Sequence, residues 1–173
     1  MAQARGAAFE LMTERGFDSV TVEEIAAASS VSPSTLYRYF GTKEALVLSS
    51  QRPAALVERL GNDDSDRSWS EAFRRAVVKV WAGDDTAVSE LTLFVANPPL
   101  LRAWERQLLD QRDAIAATFA QRRGKSGGAK DATRAAAAVA VLTTTLLRWC
   151  DDGGGKKALD RSLIKGFDAI ASS

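Results

Sequence analysis

Apolar and polar positions along this chain recur at helical spacing almost throughout, without the strict alternation of a half-buried strand. Pro and Gly fall between the periodic stretches rather than between strand-like runs. The pattern predicts an all-α protein of about nine helices. The first covers 2–15, with Phe9, Leu11 and Met12 among its apolar residues and Gly16 as a left-handed cap. The second, 21–28, opens on a capping box of Thr21 and Glu24, with Val20 and Ile25 at the staple positions. "SSVSP" then turns the chain. Ser32 caps a third helix that runs to about Tyr39, with Pro33 at the first position, where its missing N–H costs nothing. A fourth helix, capped by Thr42, ends near Gly61 and is kinked or interrupted at Pro53.

The polar stretch 61–67 is a connection. It separates a small three-helix unit from a larger helical remainder, and the division is drawn as 1–48 and 49–173. Ser68 and Glu71 form a second capping box, opening a helix to about Ala82. Further helices follow at about 86–96, 99–123, 131–151 and 157–171. "GKSGGAK" and "DDGGGKK" supply loops between the later ones.

Composition narrows the chemistry. The 173 residues hold 46% apolar and 26% charged residues, as in ordinary globular proteins, and the net charge is only +1. A site for a polyanion must therefore be local. Residues 1–52 carry five basic residues (Arg5, Arg15, Arg38, Lys43, Arg52) and six acidic ones (Glu10, Glu14, Asp18, Glu23, Glu24, Glu44). Histidine is absent, which removes His-based catalysis and His-ligated metal sites. No enzyme, cofactor or metal site is expected. The single cysteine, Cys150, suits a reducing compartment, and no apolar run approaches the ~20 residues of a membrane span. A cytoplasmic protein without membrane contact is expected.

"VSPSTLYRYFGTKEAL", 31–46, carries the most chemistry. Two short helices on a tight turn form the pattern of a helix-turn-helix, whose second helix enters the DNA major groove N-terminus first. Small hydroxyl residues at that end permit close approach, and the exposed N–H groups favour phosphate. Ser34 and Thr35 can bond to phosphates or base edges. Leu36 and Phe40, four apart, face the core, so Tyr37 and Arg38, and in part Tyr39, point elsewhere. Arg38 and Lys43 supply charge that positions a protein on the DNA backbone. Taken singly, either tyrosine could instead be a half-buried core aromatic, and either cation a solvated surface charge.

The stretch 14–46 resembles the tetracycline-repressor (TetR) family of bacterial transcriptional regulators. The matching residues are Gly16-Phe17, Thr21-Val22, Ile25-Ala26, Val31-Ser32, Leu36-Tyr37, Tyr39-Phe40, and Lys43-Glu44 with Leu46. The family's Ile-Leu pair early in the first helix reads Ala4-Arg5 here. The resemblance implies a homodimer on double-stranded operator DNA with a pseudo-palindromic sequence, its two reading helices roughly 34–36 Å apart or a multiple of that. It makes Ser32, Ser34, Thr35, Tyr37 and Tyr39 groove or phosphate contacts, Thr21 and Lys43 clamps on the backbone, and Arg38 a base reader. It also implies a repressor that releases its operator on binding a small molecule. A different class remains open: a helical protein–protein module without effective DNA binding.

For the remainder, the family implies a dimer interface and a ligand pocket. The helices at 131–151 and 157–171, with small residues on one and Leu159, Leu163, Phe167 and Ile170 on a stripe of the other, would suit a four-helix interface. They would equally suit packing inside one monomer. Trp69, Phe73, Trp81, Phe94, Trp104 and Trp149 are candidate pocket walls or plain core filler. With no charge cluster to demand an ionic partner, the pattern leans to an uncharged or weakly polar hydrophobic effector. Cys150 is either a sensor or inert packing.

Overall fold

A computed structural model describes all residues except 49–51, 64–66, 83–85, 125–126, 154–155 and 172–173. Among the described residues the chain is helical, with no strand. The segments are α1 (Ala2–Arg15), α2 (Val22–Ser29), α3 (Pro33–Phe40), α4 (Lys43–Leu48), α5 (Arg52–Gly61), α6 (Trp69–Trp81), α7 (Thr86–Ala96), α8 (Pro98–Asp110), α9 (Arg112–Arg122), α10 (Ala129–Asp151) and α11 (Lys156–Ala171). The helical class holds. Two of the nine expected helices are each described as a consecutive pair, α4 with α5 and α8 with α9. The connections expected at 61–67, 124–130 and 151–157 lie partly outside the described residues.

The break at Gln111 has no Pro or Gly to announce it. Its N–H donates to the Leu108 carbonyl at 3.2 Å, a three-residue return that ends α8. Leu108 and Ile115 are both buried and seven apart, so the apolar stripe continues in phase across the break. Periodicity therefore reads α8 and α9 as one helix.

The chain divides into two compact units. The first holds Met1–Ser50 together with Thr92–Trp104, a segment that the sequence reading assigns to the second domain. The second holds Gln51–Leu91 and Glu105–Ser173. In the first, Ala4, Ala8 and Met12 form the buried stripe of α1, joined by Phe17, Val20, Ile25, Leu36 and Leu46. Phe9 and Leu11 are only half-buried. Alanines on α1 allow close approach to α2 and α4 without a large side chain between.

Glycine serves as a conformational device at Gly16. Its φ of 84° comes with a ψ of 150°. This is an extended mirror-image conformation essentially restricted to glycine, not the left-handed helical cap expected from sequence. The left-handed cap occurs instead at Ser30, with φ 54° and ψ 33°. It lets the Val31 N–H return to the Ala26 carbonyl at 3.1 Å and closes the turn into α3.

In the second unit, α6, α9, α10 and α11 surround Phe73, Ile115, Phe119, Leu142, Leu146, Leu159 and Leu163, each at most 2% exposed. Arg74 of α6 forms an ion pair with Asp160 of α11. Gly166 lets α11 approach α10 so closely that an added Cβ would lie 2.8 Å from Val141 Cγ1.

Candidate nucleic-acid interface

The α2–α3 pair is organised from its helix ends. Thr21 Oγ1 accepts from the Glu24 N–H at 3.2 Å, and Glu24 Oε2 accepts from the Thr21 N–H at 2.8 Å. Both halves of the expected capping box are present. The Arg15 guanidinium lies 2.8 Å from Glu24 Oε1 and ties α1 to the start of α2. Together these hold the Glu24 carboxyl below its usual range. The Thr21 backbone N–H is the largest cause and Arg15 the next.

At the start of α3, Ser32 Oγ accepts from the Thr35 N–H at 3.2 Å. It also lies 3.0 Å from Ser34 Oγ and 2.8 Å from Thr35 Oγ1. Three hydroxyls thus cluster at an exposed helix N-terminus, with Pro33 at the first position as expected. Leu36 is the buried residue of α3. Tyr37 is 49% exposed and Tyr39 63% exposed. Ser34 and Arg38 are exposed as well, and the Arg38 guanidinium carbon lies 5.6 Å from the centre of the Tyr39 ring. The outer face of α3 therefore offers hydroxyls, phenols and a cation held over an aromatic ring.

Two of the expected DNA contacts have internal commitments. Lys43 Nζ donates to the carbonyls of Phe17 and Val20 at 2.8 and 3.0 Å and sits 4.2 Å from the centre of the Phe17 ring. It fastens the start of α4 to the α1–α2 connection, using two of its three protons. Thr21 is likewise engaged by Glu24, whose carboxylate accepts from the Thr21 N–H and hydroxyl. A reading of residue types cannot see these bonds, because Lys43 and its acceptors are more than twenty positions apart.

The aromatic residues expected to line a pocket are divided between the two units. Phe94 and Trp104, with ring centres 6.2 Å apart, belong to the first unit. Trp69, Phe73, Trp81 and Trp149 belong to the second. Phe73, Trp81, Phe94, Trp104 and Trp149 are at most 3% exposed and serve as core. Trp69 is half-buried and borders a cleft of about 560 Å³ in the second unit. Of the six candidate pocket residues, Trp69 alone lines that cleft. Cys150 is buried, its Sγ 3.7 Å from the Val88 carbonyl.

Against known proteins, residues 5–49 match the family model described as bacterial regulatory proteins, tetR family. Residues 5–49 are thus a tetR-family segment. It is 30% identical over 129 residues to the HTH-type transcriptional regulator TcmR of Streptomyces glaucescens, a match covering 68% of this chain and 57% of TcmR. The chain thus spans little more than half the length of that relative. Among solved structures, it resembles NalD, the secondary repressor of the MexAB-OprM multidrug efflux pump in Pseudomonas aeruginosa. The TM-score is 0.66 with 19% identity, covering 96% of this chain and 94% of NalD. It also resembles FadR of Bacillus subtilis, solved with stearoyl-CoA, at a TM-score of 0.59 and 21% identity over 95% of each chain. These two likenesses are of fold. The tetR-family match covers α1 to α4, the capped pair α2–α3 included, and stops short of the second unit. Among the described residues, no helix is long and apolar enough to cross a membrane.

Proposed function

We propose that this chain is a DNA-binding transcriptional regulator, a homodimer in which residues 1–48 read duplex DNA and residues 49–173 bind an effector and pair the two copies. The observation that carries the reading is α3. It is capped by Ser32 and anchored by buried Leu36, and it presents Ser34, Tyr37, Arg38 and Tyr39 on its exposed face. Hydroxyls at a helix N-terminus suit phosphate. Arg and Tyr on the same short helix suit base edges and sugar-phosphate. Arg38, free of any carboxylate contact in the ion pairs described, is the principal cation of this face.

The mode of action is repression. An effector held by the second unit favours a dimer whose reading helices no longer match the spacing of the half-sites, and the operator is released. FadR, a protein of the same fold, was solved with stearoyl-CoA, which supports an effector role for the larger unit. Pairing through α10 and α11 is supported by the surface they share. Ile164 and Ile170 are 41% and 47% exposed, and a groove between the helices is bordered by Ala140, Thr144 and Ile170. Leu159 and Leu163, expected on the dimer stripe, are fully buried within the monomer, and Phe167 packs on Trp69 and Phe73. Of the expected stripe, Ile170 is exposed, and the proposed pairing runs through it and Ile164.

The test is selection of bound duplexes from a random library at low salt. Recovery of a pseudo-palindrome with half-sites about 10–10.5 base pairs apart, or a multiple, supports the dimeric reader. Absence of enrichment favours a second reading, a helical module that binds protein rather than DNA. The excess of acidic over basic residues in 1–52 and the internal use of Lys43 speak for that alternative.

A further inference from the structure

The second unit holds a cleft that DNA reading does not use. We infer that it is a site for an organic anion, an oxyanion joined to a flat apolar body. The inference deepens the effector reading above and rests on it for its biological role, though not for its chemistry.

At about 560 Å³ the cleft is within the range of small-molecule sites. It is bordered by the end of α5, the start of α6, the end of α9 and the first turns of α10. Its apolar wall is Trp69 and Phe119, whose ring centres stand 5.4 Å apart, edge to face. Phe167 and Phe73 back them, with Phe167 5.6 Å from Trp69. The polar lining includes Arg67, Arg122, Arg123 and Arg134, with Asp63 as its one acidic residue among those described. No charge cluster here was expected from the sequence pattern, and the inference departs from the expectation of an uncharged effector.

Among the described residues, four arginines of the cleft meet three carboxylates, Glu71, Asp63 and Asp131. Arg67 lies 3.4 Å from Glu71, and Arg122 lies 3.7 Å from Asp63. Arg123 and Arg134 share a single carboxylate, Asp131, with Arg134 at 3.6 Å. Asp131 is 1% exposed, whereas the two arginine side chains are 36% and 23% exposed. The carboxylate is thus sealed beneath, and the guanidiniums reach the cleft. Each guanidinium has five N–H donors in a planar fork, more than one shared carboxylate can accept. An oxyanion in the cleft would take up that capacity in the geometry arginine binds best. Arg134 also lies 5.8 Å from the centre of the Trp69 ring. A flat body resting on Trp69 would carry an attached carboxylate or phosphate toward Arg134. A cation would meet four arginines, and a wholly apolar ligand would strand their hydration.

The test titrates the whole chain, without DNA, by equilibrium dialysis. The probes are 2-naphthoate against its neutral isostere 2-naphthamide, and phenyl phosphate against phenol. At least one acid should bind about tenfold or more tightly than its neutral partner. In Arg134→Gln that preference should shrink to about threefold or less, while Arg75→Gln on the exposed face of α6 leaves it intact. Thermal unfolding of each variant shows whether it folds. Arg134→Lys, which keeps the charge and loses the fork, should retain part of the preference and serves if Arg134→Gln unfolds. Equal binding of acid and neutral partner, or no saturable binding of any of the four, would overturn the inference. A failed duplex selection alongside anion binding would count against DNA reading alone. Anion binding that leaves a selected duplex bound would count against the effector role alone.

Discussion

Tyr37 and Lys43 are both polar-tipped residues of the stretch proposed to read DNA, and their surroundings differ. Tyr37 keeps about half its surface in solvent, so removing it costs little native packing. Tyr37→Ala should change stability by less than about 0.5 kcal/mol and weaken binding to a selected duplex by about tenfold or more. Unfolding curves and a fluorescence titration with labelled duplex measure the two effects. Wild-type affinity would remove Tyr37 from the groove contacts. Lys43 is the reverse case. Lys43→Met keeps an apolar stem over Phe17 but takes the Lys43 donor from the Val20 carbonyl and leaves the Phe17 carbonyl only the Val20 N–H at 3.5 Å. Stability should fall by about 1–3 kcal/mol, read as a shift in the denaturant midpoint. An unshifted midpoint would return Lys43 to the surface.

At the scale of elements, the helix ends carry the argument. Glu24 has its carboxyl held below the usual range by Thr21 and Arg15. Its folded-state pKa therefore lies below its unfolded one. The stabilisation is complete above the ordinary carboxylate range and is lost as pH falls through the lowered value. The thermal midpoint of Glu24→Gln should thus lie below wild type at neutral pH, and the two curves should converge in acid. A constant gap at all pH values would deny the ionised cap its role. Where α10 meets α11, Gly166→Ala sets two effects against each other. Alanine favours the helix by about 1 kcal/mol. Its Cβ would meet the stiff branched side chain of Val141 at 2.8 Å, and overpacking of that kind costs about 1–3 kcal/mol. The clash should win, and a lowered denaturant midpoint is the expected result.

For the whole molecule, the open question is pairing. Ile170 is 47% exposed on α11 and borders the groove shared with α10. Ile170→Glu should leave the circular dichroism of the monomer unchanged while shifting sedimentation from dimer to monomer. Binding to a two-half-site duplex should weaken with it, since each half-site then pays separately for its association. Wild-type protein that sediments as a monomer at all concentrations would defeat the pairing proposal outright.

How much of this was legible beforehand depended on distance along the chain. The starts of α2, α3, α4 and α6 are local events. Thr21, Ser32, Thr42 and Ser68 each meet an N–H three residues on, at distances between 3.0 and 3.3 Å. A cap is complete within one turn, so residue type and spacing suffice to place it. The exposure of Tyr37 and the burial of Leu36 follow from helical phase in the same way. The sequence by itself therefore determined the helical class, the capped helix pair and the polar face of α3. Tertiary structure alone decided what Lys43 bonds, which aromatic residues close into core, and which apolar residues of α11 stay exposed. It also assembled the cleft, since Trp69 comes from α6, Arg123 from the cap of α9 and Arg134 from α10, and they share no spacing rule. Their common site exists only once apolar burial has brought α6, α9 and α10 together, and a one-dimensional pattern carries no record of that meeting.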